Sequence, residues 1–284
     1  MVKLGRSTIG DNARNSRTVA KMTENLREDF RRDGVVKLTG ALSRDDLAAA
    51  RDCYDWSLAH LGPHGKGGDW LPSDGQTFED KANPDAPARY ETFLRASPLA
   101  DIARDVWRCD DVWFMYEQVF RKAGACRRTP WHQDSSYLAV SGTHLAVFWI
   151  SFAAVPKAEA LEFARGSHLG PTYNGSTFNL ADPAETIYPA GTLPPLPGID
   201  AARQEWDIVS WAVEPGDALL FHPNMLHGGA ATEGTLRETL SLRFFGTDAT
   251  YAKRPGPCGP RIAGLHDALS DGDPLRHPAF LRLR

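Results

Sequence analysis

The sequence predicts a mainly β domain, a barrel or jelly roll with helices placed ahead of it as a buttress. Two observations carry this expectation. Beyond about residue 110, short apolar or alternating runs follow one another, separated by turns rich in Pro and Gly. Helical signals gather before that point, the order expected when helices cover one face of a sheet. No linker or internal repeat divides the chain, so residues 21–284 read as one domain behind a polar, arginine-bearing tail over residues 1–20.

The elements follow in order. Val19 to Gly34 reads as a helix, with Leu26 and Phe30 one turn apart among charges and Gly34 closing it. Val35 to Thr39 alternates like a short strand. Ser43 is an N-cap with Asp45 and Asp46 in the first turn of a helix reaching Leu61, whose stripe is Leu47, Ala50, Cys53, Tyr54 and Leu58. Gly62 to Ala88 is dense in Gly, Pro, Asp and Lys and reads as a long irregular loop, as does 170–205. A helix is expected over Ala96–Arg108, then strands at Val112–Phe120, Trp131–Tyr137, Leu145–Phe152, Leu161–Phe163, Trp206–Val213, Ala218–Phe221 and Glu238–Gly246.

Composition removes several functions. A net charge of −4 with no Lys/Arg stripe gives nucleic acid no global field to follow. Cys53, Cys109, Cys126 and Cys258 are widely spaced, without a Cys-x-x-Cys pair, and residues 1–21 hold no apolar signal core. Reduced thiols in a cytoplasmic protein are the expectation. No run reaches the ~20 apolar residues of a membrane span. No Gly-x-Ser-x-Gly elbow or Gly-x-Gly-x-x-Gly loop is present, so neither a serine hydrolase nor a dinucleotide enzyme is indicated.

The chemistry concentrates in Thr129-Pro-Trp-His-Gln-Asp134 and Phe221-His-Pro-Asn-Met-Leu-His-Gly-Gly229. On a strand, His132 and Asp134 project from one face while Gln133 turns to the other. A distant histidine completes two imidazoles and one carboxylate, the facial triad that holds ferrous iron with positions left open. Spacing alone does not separate His222 from His227. His227 is preferred because Gly228 and Gly229 allow backbone or ligand to approach closely, leaving His222 a structural hydrogen-bonding role. His144 and His168 fall in turn-like contexts and read as ordinary polar residues. On Arg237–Arg243, parity sets Arg237, Thr239, Ser241 and Arg243 on one face against Leu240, Leu242 and Phe244 on the other. Two arginines and two hydroxyls suit water or an anion, and a guanidinium grips a carboxylate through two donors.

In order, Pro-Trp-His-Gln-Asp134, Trp149, Arg165-Gly-Ser-His168, Glu214-Pro-Gly-Asp217, Leu-His-Gly-Gly229 and Arg237-Glu-Thr-Leu-Ser-Leu-Arg243 resemble the phytanoyl-CoA dioxygenase family. Phe30-Arg-Arg-Asp-Gly-Val-Val36 is similar to that family's opening, and the likeness spans residues 25–248. It implies a double-stranded β-helix of the jelly-roll, cupin-like kind and the chemistry of an Fe(II)/2-oxoglutarate-dependent dioxygenase. By position, His132, Asp134 and His227 would bind iron and Arg237 the far carboxylate of 2-oxoglutarate. Ser241 and Thr239 would assist, and Gln133, Trp149 and Gln118 match positions near the cosubstrate. The chain departs from the family at Ala164-Arg165, where a proline commonly precedes Gly-Ser-His, and at Gly229, where a serine can contact the cosubstrate. Asp134 itself is informative: related halogenases carry a small residue there, so its presence implies oxygen transfer.

The resemblance thus implies oxidation, above all hydroxylation, of a C–H bond in a small to mid-sized molecule, with 2-oxoglutarate and dioxygen converted to succinate and carbon dioxide. Desaturation, cyclisation and epoxidation use the same oxidant. Two other classes stay open at this point: a cupin-type metal isomerase or hydrolase that would not need Arg237, and a barrel that binds a ligand without turnover. Tyr137, Arg165, Trp211 and the loop residues Trp70 and Phe78 are candidates for substrate contact. No nucleic-acid or membrane partner is expected.

Overall fold

Ser43 fixes the start of the first long helix by a capping box. Its Oγ accepts from the Asp46 amide at 3.1 Å, and Asp46 Oδ2 accepts from the Ser43 amide at 3.0 Å. The structure, a computed structural model, describes residues 24–65, 76–179, 181–182, 185–234 and 236–284. The predicted tail, Trp70 and the middle of the first loop lie outside them.

Helix α1 covers residues 24–33. It is followed by β1 (Val35–Leu38), α2 (Arg44–Ala59), β2 (Gln76–Lys81), α3 (Ala86–Ala96), α4 (Leu99–Trp107) and β3 (Trp113–Ala123). Then come β4 (Ala125–Cys126), β5 (Thr129–His132), β6 (Val140–Ser141), β7 (Leu145–Ser151), β8 (Leu161–Ala164) and β9 (Ile208–Val209). The chain continues through β10 (Ala218–Phe221), β11 (His227–Gly229), β12 (Thr232–Glu233), β13 (Arg237–Phe245), β14 (Thr250–Tyr251), α5 (Leu265–Ala268) and β15 (Leu281–Arg282).

Pairing is antiparallel throughout these strands. The large sheet runs β1-β10-β7-β13-β3-β15, with β2 also on β3, and the small sheet runs β5-β11-β8-β9. One cavity is lined from both sheets, which is the double-stranded β-helix that the motifs imply.

Strand β13 shows how alternation divides the molecule. Leu240, Leu242 and Phe244 are fully buried in a core with Tyr54 of α2, Tyr90 and Leu94 of α3 and Leu99 of α4. Removing one such side chain from water stabilises the fold by ~1.5–3 kcal/mol. Arg237, Thr239, Ser241 and Arg243 alternate with them and face the cavity, as parity predicts.

Several expectations change. The predicted loop 62–88 contains all of β2, paired with β3 from Gln76 opposite Ala123 to Lys81 opposite Gln118. Its alternation is hidden because the residues it turns to the cavity, Glu79 and Lys81, are charged and bond one another and Gln118. Phe78, a pocket candidate, packs instead against the helix-side core. The helix expected from Ala96 starts at Leu99, after Pro98 separates it from α3. Trp206–Val213 narrows to β9. Beyond residue 248, Leu265, Leu275 and Phe280 form a second core with Trp113 and Phe245, and β15 extends the sheet at β3. All four cysteines are free thiols.

Candidate metal centre and its cavity

His132 and His227 stand opposite one another in the register of β5 and β11. Their ring centroids are 4.2 Å apart. Gly228 explains why the strands approach so closely there: an added Cβ would lie 3.0 Å from the Thr129 carbonyl oxygen of β5. Asp134 corrects the sequence expectation. Strand β5 ends at His132, and Asp134 opens a 3-10 turn over Asp134–Tyr137. Gln133 between them is still extended (φ −118°, ψ 137°), so alternation survives and Asp134 Oδ1 lies 3.8 Å from His132 Nε2.

Both imidazoles are aimed by their other nitrogen. His132 Nδ1 donates to the Pro130 carbonyl at 2.8 Å, and His227 Nδ1 to that of Met225 at 3.0 Å. Each Nε2 therefore keeps a lone pair for a ligand. One ligand atom from each of His132, Asp134 and His227 falls within 4.8 Å of the others. Burial, and then the charge of His227, pushes His132 down to about 3; burial also lowers His227. Burial opposes ionisation of Asp134, but Arg243 and the two imidazoles outweigh it and hold the carboxyl at about 2. Two neutral nitrogens and one carboxylate in a buried cluster fit a divalent cation of the iron type.

Arg243 is the residue whose part the sequence reading missed. Its Nη2 donates to Asp134 Oδ2 at 2.8 Å and to Gln118 Oε1 at 2.6 Å. Its guanidinium lies over the Tyr116 ring, 4.6 Å from the centroid. Gln118 Nε2 in turn donates to Glu79 Oε1 at 2.6 Å, an oxygen shared with Lys81 Nζ at 2.7 Å. A hydrogen-bonded chain thus joins the cavity wall to the carboxylate of the triad.

The cavity encloses about 460 Å³. At one end lie Arg237, Thr239, Ser241, Thr129, Lys122 and Gly229, with Leu161 opposite Gly229 and Trp149 opposite Ser241 as apolar wall, while Phe221 packs on His227 with centroids 4.9 Å apart. Toward the other end Tyr137 and Phe178 stack, centroids 5.9 Å apart, and Phe178 meets His132 edge-on at 5.3 Å. Phe178 carries φ 59°, a strained backbone for a bulky residue, which costs of order 1–3 kcal/mol and is kept where the surroundings need the ring. No sequence pattern marks it.

The other candidates separate cleanly. Trp149, Gln118, Ser241, Thr239 and Tyr137 all line the cavity. Gln133 does not reach it: its amide donates to Pro171 and Asn224 carbonyls and accepts from the Tyr173 amide, tying two loops behind the triad. Arg165 is exposed and pairs with Asp207 at 3.4 Å, away from the cavity. Trp211 packs on Phe163 at 6.4 Å from outside. His222 donates to the Gly142 carbonyl and accepts from the Asn224 amide, a structural part. His168 bonds the Arg31 carbonyl, and His144 stacks on Trp107.

A family model described as phytanoyl-CoA dioxygenase matches residues 30–238. Among solved structures, the chain is similar to the non-heme alpha ketoglutarate dependent epimerase SnoN from nogalamycin biosynthesis. That match has 20% identity, a TM-score of 0.68, and covers 93% of this chain and 96% of the other. The carbocyclase SnoK of the same biosynthesis matches at 19% identity and TM-score 0.67, covering 92% and 96%. EctD from S. alaskensis, with 2-oxoglutarate and 5-hydroxyectoine, matches at 20% identity and TM-score 0.61, covering 88% and 84%. At these identities the likeness is one of fold. No curated protein matches the chain by sequence. Among the described residues, no helix is long and apolar enough to cross a membrane.

Proposed function

The chain belongs to the phytanoyl-CoA dioxygenase family, and from that premise we propose that it is an Fe(II)/2-oxoglutarate-dependent oxygenase that hydroxylates a small to mid-sized, partly apolar metabolite. The observation that carries this reading is the placement of the triad and of Arg237 in one cavity. A 2-oxo diacid needs a partner for its far carboxylate, and the buried Arg237 supplies one in the cavity that holds the triad.

His132, Asp134 and His227 are the residues that would hold iron(II). When bound, it supplies the redox chemistry by which dioxygen and 2-oxoglutarate give succinate and carbon dioxide while one oxygen atom passes to the substrate. The chain's own residues prepare that reaction. The Pro130 and Met225 carbonyls orient the imidazoles, and Arg243 occupies Oδ2 of Asp134 so that Oδ1 faces the histidines. Arg237, Thr239 and Ser241 receive the far carboxylate, and Trp149, Leu161 and Phe221 keep water from the space between. The Tyr137–Phe178 stack beside His132 offers a flat apolar surface for the substrate carbon framework. Asp134 occupies the position that halogenases leave small, which favours oxygen transfer.

SnoN and SnoK are described as an epimerase and a carbocyclase, so the fold accommodates outcomes other than hydroxylation. Screening a metabolite library for succinate release coupled to oxygen consumption, followed by product mass, decides between them. A gain of one oxygen atom supports hydroxylation, and an unchanged or hydrogen-depleted product contradicts it. Turnover that persists in His132→Ala contradicts the metal site altogether.

A further inference from the structure

Lys122 and Arg237 are directly paired residues of neighbouring antiparallel strands, and both line the cavity. Lys122 is 3% exposed and Arg237 7%. Buried cations are ordinarily matched by a carboxylate, because desolvating a lone ammonium or guanidinium is costly. Here, among the described residues, their hydrogen-bond partners are neutral. Lys122 Nζ donates to the Arg127 carbonyl at 2.9 Å and the Thr129 hydroxyl at 3.3 Å, and Arg237 Nη1 donates to the Glu159 carbonyl at 2.5 Å. An ammonium has three donors, so one remains on Lys122.

The surroundings sharpen the need for an anion. Burial, and then Arg237 with Arg128 beyond it, pushes Lys122 down to about 7; only Cys126 acts the other way. Burial also lowers Arg237 to about 10, partly offset by Glu159 and Cys126. Space for a ligand lies beside the pair. A Cβ added to Gly229 would sit 3.3 Å from Thr129 Oγ1 and 3.5 Å from Arg237 Nη2, so its absence keeps that corner open.

We propose that Lys122 is the second cation of the cosubstrate end, clamping the far carboxylate of 2-oxoglutarate together with Arg237 and selecting a 2-oxo diacid over a 2-oxo monoacid. This rests on the oxygenase reading above. The carboxylate supplies an anionic acceptor for both side chains, which stand next to one another on the cavity face of the paired strands β3 and β13.

Anaerobic calorimetry on the iron(II)-loaded protein tests the clamp with two ligands, 2-oxoglutarate and 2-oxovalerate, which has the same chain length but no far carboxylate. Lys122→Met is expected to weaken 2-oxoglutarate by about tenfold or more, the worth of a charged hydrogen bond, and to leave 2-oxovalerate within about twofold. Equal loss for both ligands, or no loss for either, overturns the proposal. Should Lys122→Met fail to fold, wild-type protein in buffers of different ionisation enthalpy gives the proton count. Greater proton uptake near neutral pH with 2-oxoglutarate than with 2-oxovalerate supports the clamp, and equal uptake overturns it. A wild-type protein that binds 2-oxoglutarate, with Lys122→Met binding it equally well, overturns the clamp alone. A wild-type protein that binds no 2-oxoglutarate, whether or not it binds 2-oxovalerate, overturns the oxygenase reading as well.

Discussion

Arg243 donates from Nη2 to Oδ2 of Asp134 at 2.8 Å, and both side chains are buried. The carboxylate is therefore oriented and kept ionised before any cation arrives. Replacing Arg243 by Met should lower iron(II) affinity by about 10–100-fold, the usual effect of losing a group that orients a metal ligand. Equilibrium titration with a competing chelator measures it. An unchanged dissociation constant contradicts the role given to Arg243.

Arg237 distinguishes the oxygenase reading from a cupin-type isomerase. Arg237→Ala removes a buried partner of the far carboxylate, a loss of 2 or more kcal/mol, or about thirtyfold in affinity. The expected result is a raised KM for 2-oxoglutarate with iron binding preserved. Activity indifferent to Arg237 is the isomerase outcome.

Alternation on β13 makes a paired prediction. Leu242 is fully buried in the helix-side core, while its neighbour Ser241 faces the cavity. Leu242→Ala should cost about 2–5 kcal/mol of stability, seen as an earlier urea midpoint. Ser241→Ala should leave that midpoint nearly in place and weaken 2-oxoglutarate instead. Equal destabilisation by both would show that the strand's two faces have been misassigned.

How much of this was legible in the sequence depends on which face a residue turns to. The Ser43 cap, β7 and the two faces of β13 announce themselves because each has a regular pattern against an apolar core. Strand β2 stays hidden since its inward residues Glu79 and Lys81 are charged and bond one another and Gln118, so no hydrophobic alternation remains. The triad was legible as residue types, and Asp134 keeps its direction even though the strand expected to run to Tyr137 ends at His132. Arg243, Lys122 and Phe178 depend on contacts between segments far apart in sequence, and Arg165, Trp211 and Phe78 turn away for the same reason. Residues 249–284 carry little periodicity, yet Leu275 and Phe280 are buried against β3 and β13 partners.

Glu117 gives the pH dependence. Burial raises its carboxyl to about 8; Oε1 accepts from the Asn83 amide while Oε2 has no partner among the described residues. The folded state thus holds a proton that the unfolded chain releases from its ordinary value of 4.5 upward. With more protons bound in the folded state, stability falls as pH rises through the window from 4.5 to about 8 and then levels. Glu117→Gln keeps the Asn83 bond and removes the ionisation. Its urea midpoint should therefore exceed that of the wild type at about pH 9 and approach it at about pH 4, below both values. A constant difference between the two proteins across that range contradicts this account.

The most direct measurement is anaerobic absorption of the iron(II)-loaded protein as 2-oxoglutarate is added. Chelation of iron(II) by the 2-oxo acid gives a visible charge-transfer band. The expected result is such a band, saturating at one 2-oxoglutarate per chain in the wild type and absent in His227→Ala. A wild-type protein that binds iron(II) yet shows no band with 2-oxoglutarate, or a His227→Ala variant that shows it undiminished, contradicts the account.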